Sequence, residues 1–116
     1  MEAEKSAFVR AFGDAPHVRV LDFFLTFPAY DYAKKQVADE TGVARLTVEK
    51  IWKHLVEEGF IVKTRRIGRA EMYRLNAANP RVKAVLEMDF KLSQAFAEEQ
   101  KPLAQAIKSR HVAAAR

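Results

Sequence analysis

The sequence of 116 residues contains no cysteine, which excludes disulfide frameworks, thiolate metal sites and cysteine nucleophiles. The same absence fits a reducing compartment, so a cytoplasmic protein is expected. Glycine and proline are scarce, with four of each, too few for a fibrous or disordered chain. No apolar run approaches the ~20 residues that span a bilayer. The acidic opening Met1-Glu2-Ala3-Glu4 lacks the apolar stretch of a signal peptide, so no membrane role is expected. Catalytic groupings are also missing. Ser6, Ser93 and Ser109 have no neighbouring base, Glu57 and Glu58 point in different directions on one helix, and no glycines form a phosphate loop. His17, His54 and His111 are far apart and show no ligand spacing, so no enzyme, metal site or cofactor is expected.

What is present is an ordinary globular composition, 49% hydrophobic and 30% charged, in a length that suits one domain. The net charge of +5 suggests an acidic partner such as nucleic acid. Its distribution is uneven. Residues 1–44 are net acidic, and the excess of base lies beyond them. The densest cluster runs from Lys63 to Arg74, where Lys63, Arg65, Arg66, Arg69 and Arg74 are opposed only by Glu71.

Hydrophobic spacing predicts a short helix over Ala3–Phe12, a break at Gly13-Asp14-Ala15-Pro16, and a second helix over His17–Phe27. Ala29–Tyr32 reads as an extended link. A third helix is predicted over Ala33–Glu40, then a turn at Thr41-Gly42-Val43, where Gly42 supplies a positive φ. A fourth follows over Arg45–Glu58, with Val48, Ile51, Trp52 and Leu55 at i, i+3, i+4, i+7. Phe60–Arg66 and Glu71–Asn76 are rich in β-formers and flank Gly68, as a β-hairpin would. The last helix is predicted from Pro80 to about Gln100, with Pro102 interrupting or kinking it. It carries two apolar stripes, Val82/Leu86/Phe90 and Val85/Met88/Leu92/Phe96.

The segment Lys34–Leu55 has helix-turn-helix spacing. Ala38 lets two helices cross closely, Gly42 makes the turn, and Val37, Val43, Val48 and Ile51 fill the shared core. That arrangement frees the outer face of the second helix for a major groove about 12 Å wide. The face carries Arg45, Leu46, Thr47, Glu49, Lys50, Lys53 and His54. Arg and Lys suit guanine edges or phosphates, and Thr47 suits a thymine methyl or a phosphate. The following hairpin reads as a wing, with Arg69 at its tip for the adjacent minor groove and Lys63, Arg65 and Arg66 along it for phosphates. Trp52, on the inner stripe, reads as core rather than as a base-stacking platform.

The run Val37–Val48 with Leu55–Ile61 resembles winged-helix transcriptional regulators of the MarR/ArsR-like kind. Thr64–Arg69 with Met72–Asn76 and Asn79-Pro80 particularly resembles the small archaeal members. The resemblance covers residues 17–92. It implies a recognition helix at Arg45–Glu58, a wing at Phe60–Asn76, and a homodimer on a DNA palindrome. In such regulators a hydroxyl residue often precedes the recognition helix and opens the helix before it. Here Ala44 and Tyr32-Ala33 stand there, so some positioning contacts are expected to be absent or to pass to Lys34 and Lys35.

The expected architecture is therefore mainly α with a small β-hairpin, a single winged helix-turn-helix domain. Residues 1–14 form its N-terminal helix, 17–76 the core, 80–100 a dimerisation helix and 101–116 a tail. The apolar surplus on the terminal helices, namely Phe8, Phe12, Val85, Met88, Leu92 and Phe96, favours a seam with a second copy. Double-stranded DNA and the chain itself are the expected partners. The alternatives are a winged helix used for protein contacts, or a non-specific DNA-binding or segregation protein. No small-molecule effector can be named. The cleft between the terminal helices and the wing domain is where one would fit.

Overall fold

The computed structural model describes residues 5–114, with side chains for residues 5–100. Ser6 opens the first helix, because its hydroxyl accepts a hydrogen bond from the Val9 N–H at 3.1 Å. Helix α1 therefore spans Ala7–Phe12, and Lys5 and Ser6 stay outside it. The expected start at Ala3 lies outside the described residues. Helix α2 spans Pro16–Thr26, so Pro16 begins a helix as well as ending a break. Helix α3 (Lys34–Thr41) and helix α4 (Arg45–Glu57) form the helix-turn-helix. Gly42, at φ 71° and ψ 13°, turns the chain between them. The guanidinium of Arg19 donates to the Thr41 carbonyl, tying that turn to α2.

The hairpin is present and gains a third strand. Strands β1 (Asp31–Tyr32), β2 (Ile61–Ile67) and β3 (Ala70–Leu75) form an antiparallel sheet in the order β1-β3-β2. What reads as an extended link in the sequence pairs with β3, Asp31 opposite Arg74 and Tyr32 opposite Tyr73. Two residues are too short to show an alternating pattern, which is why the strand is silent in the sequence. A register shift between Lys63 and Arg65 leaves Thr64 as a bulge in β2.

Val48, Ile51, Trp52 and Leu55 are all buried, so the apolar stripe of α4 faces the core. Each fully buried large apolar side chain contributes about 1.5–3 kcal/mol. Rings bind the layers together. Trp52 lies 5.4 Å from both Phe24 of α2 and Tyr73 of β3, centroid to centroid. Helix α5 (Pro80–Ala114) runs past Pro102, which does not end it. Asn79 starts it by accepting from the Arg81 N–H at 2.9 Å, while its amide donates to the Gly59 carbonyl at 3.0 Å. Val82 is fully buried, and Val85, Leu86, Met88 and Leu92 pack in part against the core.

Candidate nucleic-acid interface

Three elements bring the basic side chains to one face. Lys34 and Lys35 open α3, Arg45 opens α4, and Arg69 stands in the turn between β2 and β3. With Ala33, Ala70, Glu71 and Tyr73 they line one concavity of about 280 Å³. Neither Ala33 nor Ala44 caps its helix through a side chain. The first N–H groups of both helices thus keep their positive end uncovered beside these cations. A second groove, about 580 Å³, runs along the outer flank of α4. Lys34, Glu49, Lys50, Lys53, Val56 and Glu57 line it, with Trp52 and Tyr73 at its floor. Of the remaining nominated positions, Leu46 is 79% exposed and Thr47 half-buried.

The cations are not equivalent. Lys34 pairs with Glu49 at 3.1 Å, Lys63 with Glu71 at 3.2 Å, and Lys53 with Glu57 at 4.0 Å. These are solvent-exposed pairs of small energetic weight. Arg65 is held more firmly. Its Nε and Nη2 donate to the two carboxylate oxygens of Asp31 at 2.9 and 3.1 Å, and the Thr64 hydroxyl donates to the same carboxylate at 2.6 Å. This clasp crosses β3, since β1 and β2 lie on its opposite edges. The Arg65 and Thr64 hydrogen bonds hold the Asp31 carboxyl at about 2, below its usual 3.8. Lys63, and more weakly Arg66, hold the Glu71 carboxyl below its ordinary value. Lys35, Arg45, Lys50, Arg66 and Arg69 have no carboxylate in ion-pair distance among the described residues.

Sequence reasoning missed Asp31 and Tyr73. Asp31 acts on Arg65 only because the bulge at Thr64 turns both residues towards β1. Tyr73 is visible in the sequence only as an alternating strand residue.

The terminal helices separate the residues expected at a seam between copies. Phe8 is 4% exposed and lies in the core of the single chain, so it offers nothing to a second copy. Phe12 is 52% exposed, and Phe90, which was not among the expected seam residues, is 63% exposed. Val85, Met88 and Leu92 keep part of their surface free. Phe96, also half-buried, carries the Arg10 guanidinium 4.3 Å above its ring.

No protein-family model and no curated protein matches the chain. Solved structures do match, at identities that establish the fold. A point mutant of Lactococcus lactis ZitR in complex with DNA is 15% identical with a TM-score of 0.54, over 83% of this chain and 70% of that one. The transcriptional repressor CouR, bound to a 23-mer DNA duplex, is 20% identical with a TM-score of 0.53, over 93% and 79%. NadR in complex with 4-hydroxyphenylacetate is 12% identical with a TM-score of 0.59, over 93% and 77%. The fold is that of winged-helix regulators, with five helices and a small three-stranded antiparallel sheet among the described residues.

Proposed function

We propose that this chain is a sequence-specific double-stranded DNA-binding transcriptional regulator that acts as a homodimer in the cytoplasm and catalyses no reaction. Helix α4 enters the major groove, and the β2–β3 wing lies on the minor groove and its phosphates. The observation that carries this reading is the convergence, from three elements, of Lys35, Arg45 and Arg69 on one concavity and of Lys50 on the groove beside it, none with a carboxylate partner among the described residues. The winged-helix likeness to two proteins whose structures contain DNA supports it. Phe12 and Phe90, large and exposed on the terminal helices, support pairing with a second copy, together with Val85, Met88, Leu92 and Phe96. Two-fold pairing sets the recognition helices about 34 Å apart, one turn of DNA.

Selection of bound duplexes from a random pool tests the reading, and a palindrome is the expected product. The five nominated cations without a carboxylate partner (Lys35, Arg45, Lys50, Arg66 and Arg69), doubled in a dimer, set a log–log salt slope of about −9. Lys50→Ala and Arg69→Ala each weaken binding and flatten that slope by about 1 to 2 per dimer. Undetectable DNA binding at low salt, or affinity unmoved by both substitutions, refutes the proposal. Leu46, at 79% exposure on α4, favours a second reading as a protein-contact module. A stoichiometric protein partner seated on Leu46, with no DNA retained, is its signature.

A further inference from the structure

One pair of side chains lines neither basic concavity described above, although the sequence places His54 on the outer face of α4. His17 sits in the first turn of α2 and His54 in the last turn of α4, far apart in the sequence. The fold sets their rings edge to face, 5.4 Å between centroids, and both residues are exposed. Neither imidazole hydrogen-bonds to another described residue, so their ring nitrogens are open to a ligand. Two imidazoles on one tetrahedral ion, with metal–nitrogen bonds near 2 Å, place their ring centres about 5 Å apart.

We propose that His17 and His54 form a two-imidazole seat for a late-transition divalent cation of the Zn²⁺ or Ni²⁺ type, joining α2 to the end of α4. Imidazole is a preferred ligand of these ions, and only its neutral form binds. Glu58, one turn beyond His54, is held by Arg81 at 2.9 Å. Among the described residues no three His, Cys, Asp or Glu side chains gather as a metal-binding group. Water therefore completes the coordination shell, and the ion is exchangeable rather than structural. The seat lies at the opposite end of α4 from Arg45 and does not depend on the DNA reading.

The test is calorimetric titration of the full-length chain with Zn²⁺ and, separately, Ni²⁺ at pH 7.5, using wild type, His17→Ala, His54→Ala and His111→Ala. The expected result is one ion per chain. Either of the first two substitutions weakens affinity by about tenfold or more, and His111→Ala leaves it unchanged. Paramagnetic broadening by Ni²⁺ of the His17 and His54 ring signals in the wild-type chain checks the same seat without any substitution. Absence of saturable binding overturns the proposal. So does binding that survives both substitutions, binding that is lost in His111→Ala, or broadening that spares these two rings.

Discussion

Gly42 offers a quantitative test of how the helix-turn-helix is held. Its φ of 71° lies in the left-handed region, where an L-residue costs about 1–2 kcal/mol. A methyl group added there stands 3.1 Å from Arg19 Nη2, tighter than ordinary contact. That nitrogen donates to the Thr41 carbonyl, while Arg19 Nε faces Asp14 at 3.5 Å. Gly42→Ala must therefore push this guanidinium aside by a few tenths of an ångström and weaken a charged hydrogen bond worth about 1.5–3 kcal/mol. The expected total is roughly 2–4 kcal/mol, a large share of the 5–15 kcal/mol typical of a small domain. Gly68 is the control. Its φ of 60° carries the same conformational cost, but nothing lies within 4 Å of an added methyl. Urea denaturation should show Gly42→Ala exceeding Gly68→Ala by about 1 kcal/mol or more. In an Arg19→Ala background the excess should vanish. Equal costs at the two glycines, or full additivity of Gly42→Ala with Arg19→Ala, refute the reasoning.

Three further outcomes are expected. The buried indole N–H of Trp52 meets no acceptor among the described residues, so Trp52→Phe removes a stranded donor and costs under about 1.5 kcal/mol, while Trp52→Ala costs about 3–5; equal losses in chemical denaturation would show that the indole N–H has a partner. The Asp31 carboxyl, depressed to about 2, favours the folded state above its unfolded value of 3.8, and this contribution is lost as pH falls through the folded value. An acid titration followed by the NMR signals of Thr64 and Arg65 should keep the clasp intact from neutral pH to about 4, and a midpoint near 4 contradicts it. Phe90→Glu places a charge on an exposed apolar position of α5 and should convert a dimer to a monomer in sedimentation, whereas a wild-type chain that is monomeric at tens of micromolar ends the homodimer proposal.

Local periodicity carried most of the fold. The stripe Val48, Ile51, Trp52 and Leu55 defines α4 because burial repeats at the helical period, and Gly42 and Gly68 mark turns because their backbones need positive φ. Strand β1 was illegible because two residues have no period. The site was legible as residue types and not as pairings. Lys34, Lys53, Lys63 and Arg65 count as four free charges in the sequence, but each lies within reach of a carboxylate, and Asp31 meets Arg65 only through a bulge that shifts the register of β2. The charge total therefore overstates the field offered to a phosphate backbone, because a phosphate must compete with Asp31 for Arg65 and with Glu71 for Lys63. The same blindness hides His17 from His54, whose proximity is set by how α2 crosses α4. A salt slope well steeper than about −9 would mean that DNA displaces these carboxylates. A slope near that value would mean that the intramolecular pairs persist at the interface.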